Sequence, residues 1–321
     1  MKYYLGADVG SSKTQILIAD EKGQTAGVGL AGPGNHQTVG YEGMFSALQE
    51  GISQALNEAG IPVKDISGAG FGISGYDWPS DESKMLEIIT RLDLQAPLEM
   101  HNDAVLGLVA GAEQGWGIAV VSGSGCNCWG WDRNRKNIGH VTGFGYLTGE
   151  AAGSTELVYR AMQLVAHAWT KRGQETALTQ SFIDYVGAKD IENLLEGYTT
   201  ACYQIDGDAA RLVFQVAEAG DLVARQLIHW AGSELGELAK AVIRQLNFQS
   251  RSFDVVLVGS MYEGGALLIE PMRETIQQLA PGARLVRLSV PPVVGALLIG
   301  MQAGGLQPTP EIRKTLTGSL S

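Results

Sequence analysis

The chain has 321 residues, of which 45% are hydrophobic and 18% charged, so it is a folded globular protein and not a disordered one. Its length favours two domains over one. Its net charge of −11 argues against nucleic acid and against an anionic membrane as partners.

The first predicted element is a β-hairpin with an acid and a small-residue turn. An apolar run from Tyr3 to Val9 carries Asp8, and a second run starts at Ile16. The turn between them consists of Gly10, Ser11, Ser12, Lys13 and Thr14. Such a turn can cradle phosphate with its N–H groups, hydroxyls and ammonium, while Asp8 holds Mg²⁺ directly or through water. An ordinary hairpin explains this stretch alone equally well, and the spacing is not that of a P-loop.

A third strand over Ala26–Leu30 and a polar loop precede the first predicted helix, whose apolar residues recur from Met44 to Leu56. The loop carries Asn35 and His36, which can bind sugar hydroxyls or can simply be turn residues. A strand over Ile66–Ile73 then ends in a second polar segment.

Asp103 follows a short predicted strand, Leu98–His101, and precedes a helix. This is the end of a strand at which α/β proteins bind their ligands. Taken alone, Asp103 is better explained as a helix N-cap. The phosphate turns and the adjacent Asn102 favour a general base instead, because a kinase acting on an alcohol needs a carboxylate near the attacking hydroxyl.

A second hairpin repeats the pattern of the first. Strands over Ile118–Val121 and Asn127–Trp131 flank the turn Ser122, Gly123, Ser124 and Gly125. The repeat predicts two similar halves that face each other across a cleft, with N–H groups of this turn on the β- and γ-phosphates.

The three cysteines indicate a reducing compartment. Cys126 and Cys128 alternate on a predicted strand, so they face opposite ways and do not share a metal. With Cys202 they are too few and too uneven for a disulfide framework. We see no signal-like N-terminus and no apolar run of membrane-span length, and therefore expect a cytoplasmic protein.

The remaining chain is predicted to be largely helical. Helical patterns cover Ser154 to about Val186, Ile191–Leu195 and Ala209–Leu246. A strand over Phe253–Val258 ends in Gly259 and Ser260, followed by a helix over Ala266–Leu279, a strand over Leu285–Leu288, and a small-residue helix over Pro291–Gly300. We expect the polar tail after Gly304 to be loosely ordered.

Together these motifs resemble the sugar kinase/Hsp70/actin superfamily, and within it the N-acetylglucosamine kinase branch of the BadF/BadG/BcrA/BcrD ATPase family. The matching segments are Asp8–Thr14, Asn35-His36, Asp103, Ser122–Asn127, Val258–Ser260 and Pro292–Ala296. The resemblance spans about Tyr4 to Gly304. It implies an α/β fold of two ribonuclease-H-like (actin-like ATPase) domains with a nucleotide cleft between them.

The resemblance also implies a division of the chain. Residues 1–114 would form the N-terminal domain and residues 115–290 the C-terminal domain with a helical insert. Residues 291–305 would form a closing helix that packs on the N-terminal domain, and residues 306–321 a tail.

The implied activity is transfer of the γ-phosphoryl group of ATP, with Mg²⁺, to the 6-hydroxyl of N-acetylglucosamine or a related amino sugar. Asp103 would be the base, Asp8 would position Mg²⁺, both turns would hold phosphate, and Gly259-Ser260 would lie against adenosine. The implied sugar-binding residues are Asn35, His36, Ser74, Gly75, Asn102, Asp103, Cys126, Asn127, Gly145 and Glu150. The resemblance further suggests a homodimer.

One segment departs from the family pattern. Where the family has Gly-Asp-Glu-Gly-Ser, this chain has the longer Gly149–Ser154 with Glu150 as its only acid. The acceptor could therefore be another hexose or N-acetylmuramic acid. Two other classes remain open: an ATPase that activates an acyl-CoA dehydratase or reductase through an iron–sulfur cluster, which the cysteine positions disfavour, and a binding module without catalysis, which retention of Asp8 and Asp103 disfavours.

Overall fold

The computed structural model describes residues 1–318 and contains two five-stranded mixed sheets. The strands are β1 (Tyr3–Val9), β2 (Thr14–Asp20), β3 (Thr25–Ala31), β4 (Ile66–Ile73), β5 (Leu98–Asn102), β6 (Gly117–Ser122), β7 (Cys126–Trp131), β8 (Ile138–His140), β9 (Phe253–Val258) and β10 (Ala283–Arg287).

The two sheets share one topology. The first has the order β3-β2-β1-β4-β5 and the second β10-β9-β6-β7-β8, so β6 occupies the position of β1. In each sheet the hairpin strands pair antiparallel; the next strand, β4 or β9, joins the central strand in parallel, and β5 or β10 pairs in parallel with that one. The predicted duplication and the predicted α/β fold class are confirmed.

Eleven helices surround these sheets within the described residues. They are α1 (His36–Ala59), α2 (Glu82–Thr90), α3 (Asp103–Gly111), α4 (Ser154–Trp169), α5 (Leu178–Val186), α6 (Ile191–Thr199), α7 (Ala210–Glu218), α8 (Leu222–Leu246), α9 (Ala266–Gln277), α10 (Val293–Ala303) and α11 (Pro310–Gly318).

Two long tracts predicted to be continuous helices are each divided in the structure. The tract predicted over Ser154–Val186 is split into α4 and α5, and the break includes Lys171 with a left-handed φ of 59°. The tract predicted over Ala209–Leu246 is split at Gly220, whose φ of 107° ends α7, and Asp221 then caps α8. The residues have helical composition, but these backbone angles cannot continue a helix.

The expected loose order of the tail is also wrong for residues 310–318. They form α11, whose Leu316 is fully buried, and the Arg313 guanidinium donates to the Val109 carbonyl at 2.9 Å. The apolar spacing of Ile312 and Leu316 provides the buried face. The last three residues of the predicted tail, 319–321, lie outside the described residues.

Helix α10 packs closely against the first sheet because the facing residues are small. A Cβ atom added at Gly6, Gly68 or Gly70 would come within 3 Å of backbone atoms of α10 or of the residue just after it. Helices α3 and α10 form one buried core cluster with residues of both sheets. This cluster holds the sheets together and places the ends of β1, β4 and β5 opposite the turn after β6.

Candidate functional site

Three parallel strands of the first sheet end side by side, and each end carries polar side chains. Asp8 lies near the end of β1, Ser74 and Asp77 follow β4, and Asp103 follows β5. Strand β4 pairs in parallel with both β1 and β5. Parallel strands present their carboxyl ends at one edge of a sheet, so these side chains converge on the cleft.

Asn102, and not Asp103, caps helix α3. The Asn102 Oδ1 atom accepts a hydrogen bond from the Ala104 N–H at 3.0 Å. Asp103 is therefore the first helical residue. The interpretation of Asp103 as the N-cap is wrong, and its carboxylate is available to the cleft, where it accepts a hydrogen bond from the Ser74 hydroxyl.

Burial raises the pKa of all three carboxylates of the cleft, and the charge of Asp103 adds to the shift of the other two. Burial raises the pKa of Asp8 to about 7, and the negative charge of Asp103 adds to this effect. Burial and the charge of Asp103 raise the pKa of Asp77 to about 6. Burial also raises the pKa of Asp103 to about 6, against the hydrogen bond from Ser74. This concentration of negative charge favours a bound cation.

The donor set suits Mg²⁺ that is shared with a phosphate. In the described part of the chain, no group of three or more His, Cys, Asp or Glu side chains is arranged to hold a metal ion alone. Magnesium commonly uses one or two carboxylates and completes its octahedron with water and substrate phosphates. Asp8, near Asp103 and beside the first phosphate turn, fits this role.

A network of hydroxyls and an amide joins Asp103 to the first turn. The Ser74 and Ser11 hydroxyl oxygens lie 3.2 Å apart, and the Asn35 amide donates to Ser11 at 2.9 Å. The other end of the Asn35 side chain accepts from the Gln37 N–H and caps α1. The network fixes the direction of the Ser74 hydroxyl, and so the Asp103 carboxylate that it contacts.

The first turn is closed by its own backbone. The Gly10 N–H donates to the Lys13 carbonyl at 3.0 Å, and the Gly34 N–H donates to the Gly10 carbonyl at 3.0 Å. Ser11, Ser12 and Lys13 are exposed. Thr14 is fully buried, and its hydroxyl has no hydrogen-bond partner within residues 1–318. Phosphate binding by Gly10, Ser11, Ser12, Lys13 and Thr14 stays a prediction.

The second turn is attached to the start of α4. The Ser154 N–H donates to the Gly123 carbonyl at 2.8 Å, and the Thr155 N–H donates to the Ser124 carbonyl at 3.1 Å. The Ser122 hydroxyl points away from the cleft and donates to the Ala152 carbonyl at 2.7 Å. Gly259, with a φ of 116°, lies so close to the turn that a Cβ atom there would collide with the Ser122 carbonyl. The predicted adenosine motif thus abuts the phosphate turn.

The two turns face each other across a cavity of about 310 Å³, here called the central cavity. Eleven of the predicted site residues line it: Ser11, Ser12, Asn35, Ser74, Gly75, Asp103, Gly123, Ser124, Gly125, Cys126 and Asn127.

A larger cavity of about 630 Å³, here called the outer cavity, lies on the other side of the second turn. Ser260 and the first residue of α4, Ser154, line it together with Arg211 and Phe214 of α7. Ser124 lines both cavities. A ligand that extends along the second turn would therefore reach from the outer cavity to the carboxylates of the central one.

Four predicted sugar-binding residues, His36, Asn102, Gly145 and Glu150, lie outside the lining of the central cavity. Glu150 is buried, and its carboxylate accepts from the N–H groups of Thr142 and Gly145 and from the Thr148 hydroxyl, which keeps its pKa low. His36 stacks on Tyr41 with ring centroids 4.9 Å apart. Glu150 and Gly145 organise their own loop in this structure. Sugar contact by these four residues stays a prediction.

Cys126 lines the cavity as a neutral thiol. Its sulfur accepts from the Ala152 N–H at 3.3 Å, and burial raises the pKa of the thiol to about 12. Cys128 is also buried, whereas Cys202 is exposed. The three free thiols give no common face for an iron–sulfur cluster, and the activator ATPase is not favoured.

Sequence reasoning missed Asp77, Gln37 and Gly143, which also line the central cavity. Asp77 is buried and accepts from the Asn102 amide at 2.9 Å. Its position just beyond a predicted strand was the available signal, the same one that identified Asp103. Gln37 and Gly143 had no comparable signal: Gln37 is positioned by contact with Gly75, and Gly143 approaches Asp77 from the other half of the chain.

The second turn allows a direct test. A Cβ atom at Gly123 would meet no atom within 4 Å, so Gly123→Ala is expected to keep the melting temperature while the methyl group enters the phosphate path. We expect the KM for ATP to rise by roughly tenfold, because a misplaced phosphate loses charge-assisted hydrogen bonds. Gly32→Ala, also in open space but outside the cleft, is the control. An unchanged KM would place the phosphates elsewhere.

Two known proteins are similar in sequence to nearly the whole of this chain. The chain is 26% identical over 301 residues to an N-acetylmuramic acid/N-acetylglucosamine kinase of Clostridium acetobutylicum, covering 93% of this chain and 98% of that one. It is 24% identical over 313 residues to an N-acetyl-D-glucosamine kinase of Dictyostelium discoideum, covering 94% and 98%.

A solved structure shows the same fold. It is a candidate N-acetylglucosamine kinase from Chromobacterium violaceum, with a TM-score of 0.70 and 23% identity over 93% of this chain and 99% of that one. Within residues 1–318, no helix is both long and apolar enough to cross a membrane. The family model described as BadF/BadG/BcrA/BcrD ATPase matches residues 5–300, and the chain belongs to that family.

Proposed function

We propose that the protein is an ATP-dependent kinase that phosphorylates a hydroxyl of N-acetylglucosamine or a related amino sugar. The observation that carries the proposal is the position of Ser124, whose turn separates a nucleotide-sized cavity from one that contains Asp103. A nucleotide bound along this turn would direct its terminal phosphate at the sugar beside Asp103. The two relatives are named as N-acetylglucosamine kinases, one of them also for N-acetylmuramic acid, which supports the same acceptor class.

In this proposal Asp103 is the general base. A sugar in the central cavity would contact Asn35, Ser74, Gly75 and Asn127, with its reacting hydroxyl at the Asp103 carboxylate. A pKa of about 6 leaves most of this carboxylate ionised at neutral pH yet basic enough to accept a proton. Asn102 holds the start of α3 and so fixes the direction of the base.

Mg²⁺ would be held by Asp8, directly or through water, and when bound it would neutralise phosphate charge during transfer. The N–H groups of the two turns and the Lys13 ammonium would hold the phosphates, and Gly259-Ser260 would lie against adenosine. Because phosphoryl transfer requires little covalent chemistry from the protein, orientation of the reactants and stabilisation of charge would supply most of the rate enhancement.

We extend the proposal to the organisation of the chain. Residues 1–114 would form the N-terminal domain and residues 115–290 the C-terminal domain; each range contains one of the two sheets. Residues 291–305 would form a closing helix that packs on the N-terminal domain.

A cytoplasmic location fits the free thiols. The homodimer rests on the family resemblance, and sedimentation of the purified protein tests it.

The activity is tested by ADP release with ATP and Mg²⁺ in the presence of N-acetylglucosamine, N-acetylmuramic acid, glucosamine, glucose or no sugar. We expect one acetylated amino sugar to stimulate ADP release at least about tenfold over the sugar-free rate. The reason is that closure of the two halves of the protein around the sugar would exclude water from the phosphate. Steady hydrolysis that ignores all four sugars would refute the kinase and point to an ATPase coupled to a partner protein.

A further inference from the structure

A third cavity, here called the aromatic cavity, lies next to the central one. Its volume is about 320 Å³, close to the 310 Å³ of the central cavity. It lies between the edge strands of the two sheets, with β5 residues on one side and β8 residues on the other. The kinase reaction proposed above leaves this space unused.

The two cavities are adjacent, with Asp77 in the wall of both. Its carboxylate accepts from the Asn102 amide, which belongs to the wall of the aromatic cavity. On the central side, a Cβ atom at Gly143 would lie 3.0 Å from Asp77 Oδ1 and 2.9 Å from Asn127 Nδ2. Glycine at 143 therefore leaves space beside Asp77 that a larger side chain would fill.

Aromatic rings form much of the wall. Tyr76, Trp78 and Trp129 line the cavity, and Trp129 stacks on His140 with ring centroids 4.4 Å apart. The indole of Trp78 is about half exposed, at 47%. The C–H faces of a sugar ring are apolar and pack on aromatic faces, while its hydroxyls need hydrogen-bond partners at the edge. The carboxylates of Asp77 and Glu82 in the cavity wall can accept such hydrogen bonds.

The charges around the cavity disfavour an anion. Asp77 and Glu82 line it, and no Lys or Arg side chain does so among residues 1–318. The histidines are His101, which lies 3.2 Å from Glu99, and His140, whose ring nitrogen lies 2.8 Å from the Val141 carbonyl. Carboxylates accept hydrogen bonds from sugar hydroxyls and repel a carboxylate on the ligand.

We propose that the aromatic cavity binds a second, uncharged sugar ring that is joined to the sugar in the central cavity. This inference rests on the proposed function and narrows its substrate class: the acceptor is a neutral amino-sugar disaccharide as well as the monosaccharide. A substituent that carries a carboxylate, such as the lactyl group of N-acetylmuramic acid, is not favoured in the aromatic cavity.

The test compares N-acetylglucosamine with N,N′-diacetylchitobiose as acceptor, using wild-type protein and Trp78→Ala. We expect the disaccharide to have a kcat/KM at least equal to that of the monosaccharide. Trp78→Ala should lower kcat/KM for the disaccharide by about tenfold, through lost apolar burial, and leave the monosaccharide value within about twofold. Trp169→Ala is the matched control, since Trp169 is also 47% exposed but lies at the end of α4.

Failure of the second-ring site can be distinguished from failure of the proposed kinase function. If the monosaccharide is phosphorylated while the disaccharide is neither phosphorylated nor a competitor, the second-ring site is refuted and the kinase stands. Equal loss on both acceptors in Trp78→Ala would also refute it. If no sugar is phosphorylated, the proposed function fails. Calorimetric titration of wild-type protein and Trp78→Ala with the disaccharide then tests the second-ring site by itself. If the wild-type protein does not bind the disaccharide, or if Trp78→Ala binds it equally well, the site is refuted too.

Discussion

Asp103→Asn is expected to lower kcat for sugar phosphorylation by a factor on the order of 10²–10⁴, the usual range for loss of a general base. The same change should raise the melting temperature of the metal-free protein at neutral pH. Asn keeps the size of the side chain and removes the charge that burial opposes. One substitution would thus stabilise the fold and stop the reaction, as expected for a carboxylate kept for its chemistry.

The raised pKa of Asp103 explains why Asp103→Asn should stabilise the fold at neutral pH. In the folded protein the pKa of Asp103 is raised from 3.8 to about 6, so the native state binds this proton more tightly than the unfolded chain does. The stability linked to this proton is fully present below about pH 4 and is lost as the pH rises through about 6. At about 1.4 kcal/mol per pKa unit, the gain in Asp103→Asn above pH 6 is at most about 3 kcal/mol.

The measurement is a series of thermal melts in a chelator between pH 4 and pH 8, alongside sugar-dependent ADP release with Mg²⁺. Asp65→Asn is the control, because Asp65 is exposed and distant from the cleft. We expect the variant and wild-type melting temperatures to converge at low pH and to separate above pH 6. Near-normal kcat in a folded Asp103→Asn protein would show that Asp103 is not the base.

Gly70→Ala is expected to cost more than about 3 kcal/mol of unfolding free energy, above the usual range for an overpacked core. The new Cβ atom would come within 3 Å of the Ala296 carbonyl and the Gly300 N–H, both backbone atoms of α10. Backbone cannot rotate away as a side chain can, so α10 must move off the sheet and disturb the core cluster that joins the two sheets.

Urea denaturation measures this cost, and Gly32→Ala controls for the change in chain entropy, since its Cβ atom would meet nothing within 4 Å. A midpoint for Gly70→Ala within error of that for Gly32→Ala would mean that α10 can retreat without loss. A large drop in the midpoint with wild-type kcat in the surviving folded protein would separate the packing role of Gly70 from the chemistry.

The features of this fold that local chemistry determines were predictable from the sequence. Both hairpins, with their glycine and serine turns, and the acid after β5 follow from strand alternation and turn residues. The fold class came from the repetition of one hairpin pattern. Asp103 was identifiable because it follows a predicted strand, at the end where α/β proteins bind ligands, and because two phosphate-type turns occur in the same chain.

Other features depend on contacts between distant parts of the chain. Asp77 belongs to the site only because β4 and β5 are neighbours, and the breaks at Lys171 and Gly220 are set by backbone angles that helical composition does not reveal. The hydrogen bonds of Glu150 depend on how its loop folds back. Leu316 is buried in a core cluster that combines residues of the first strands with residues of α10.

The position of α10 has a consequence for how the protein is made. The glycine-lined face of β1 and β4 is synthesised before the second sheet, whereas the helix that covers it, Val293–Ala303, is translated only after that sheet. During elongation this face of the first sheet has no native cover, and exposed strands of this kind are prone to wrong pairing and aggregation. The N-terminal half therefore completes its core only after the C-terminal half has been synthesised, and premature termination before α10 would leave both halves without a finished interface.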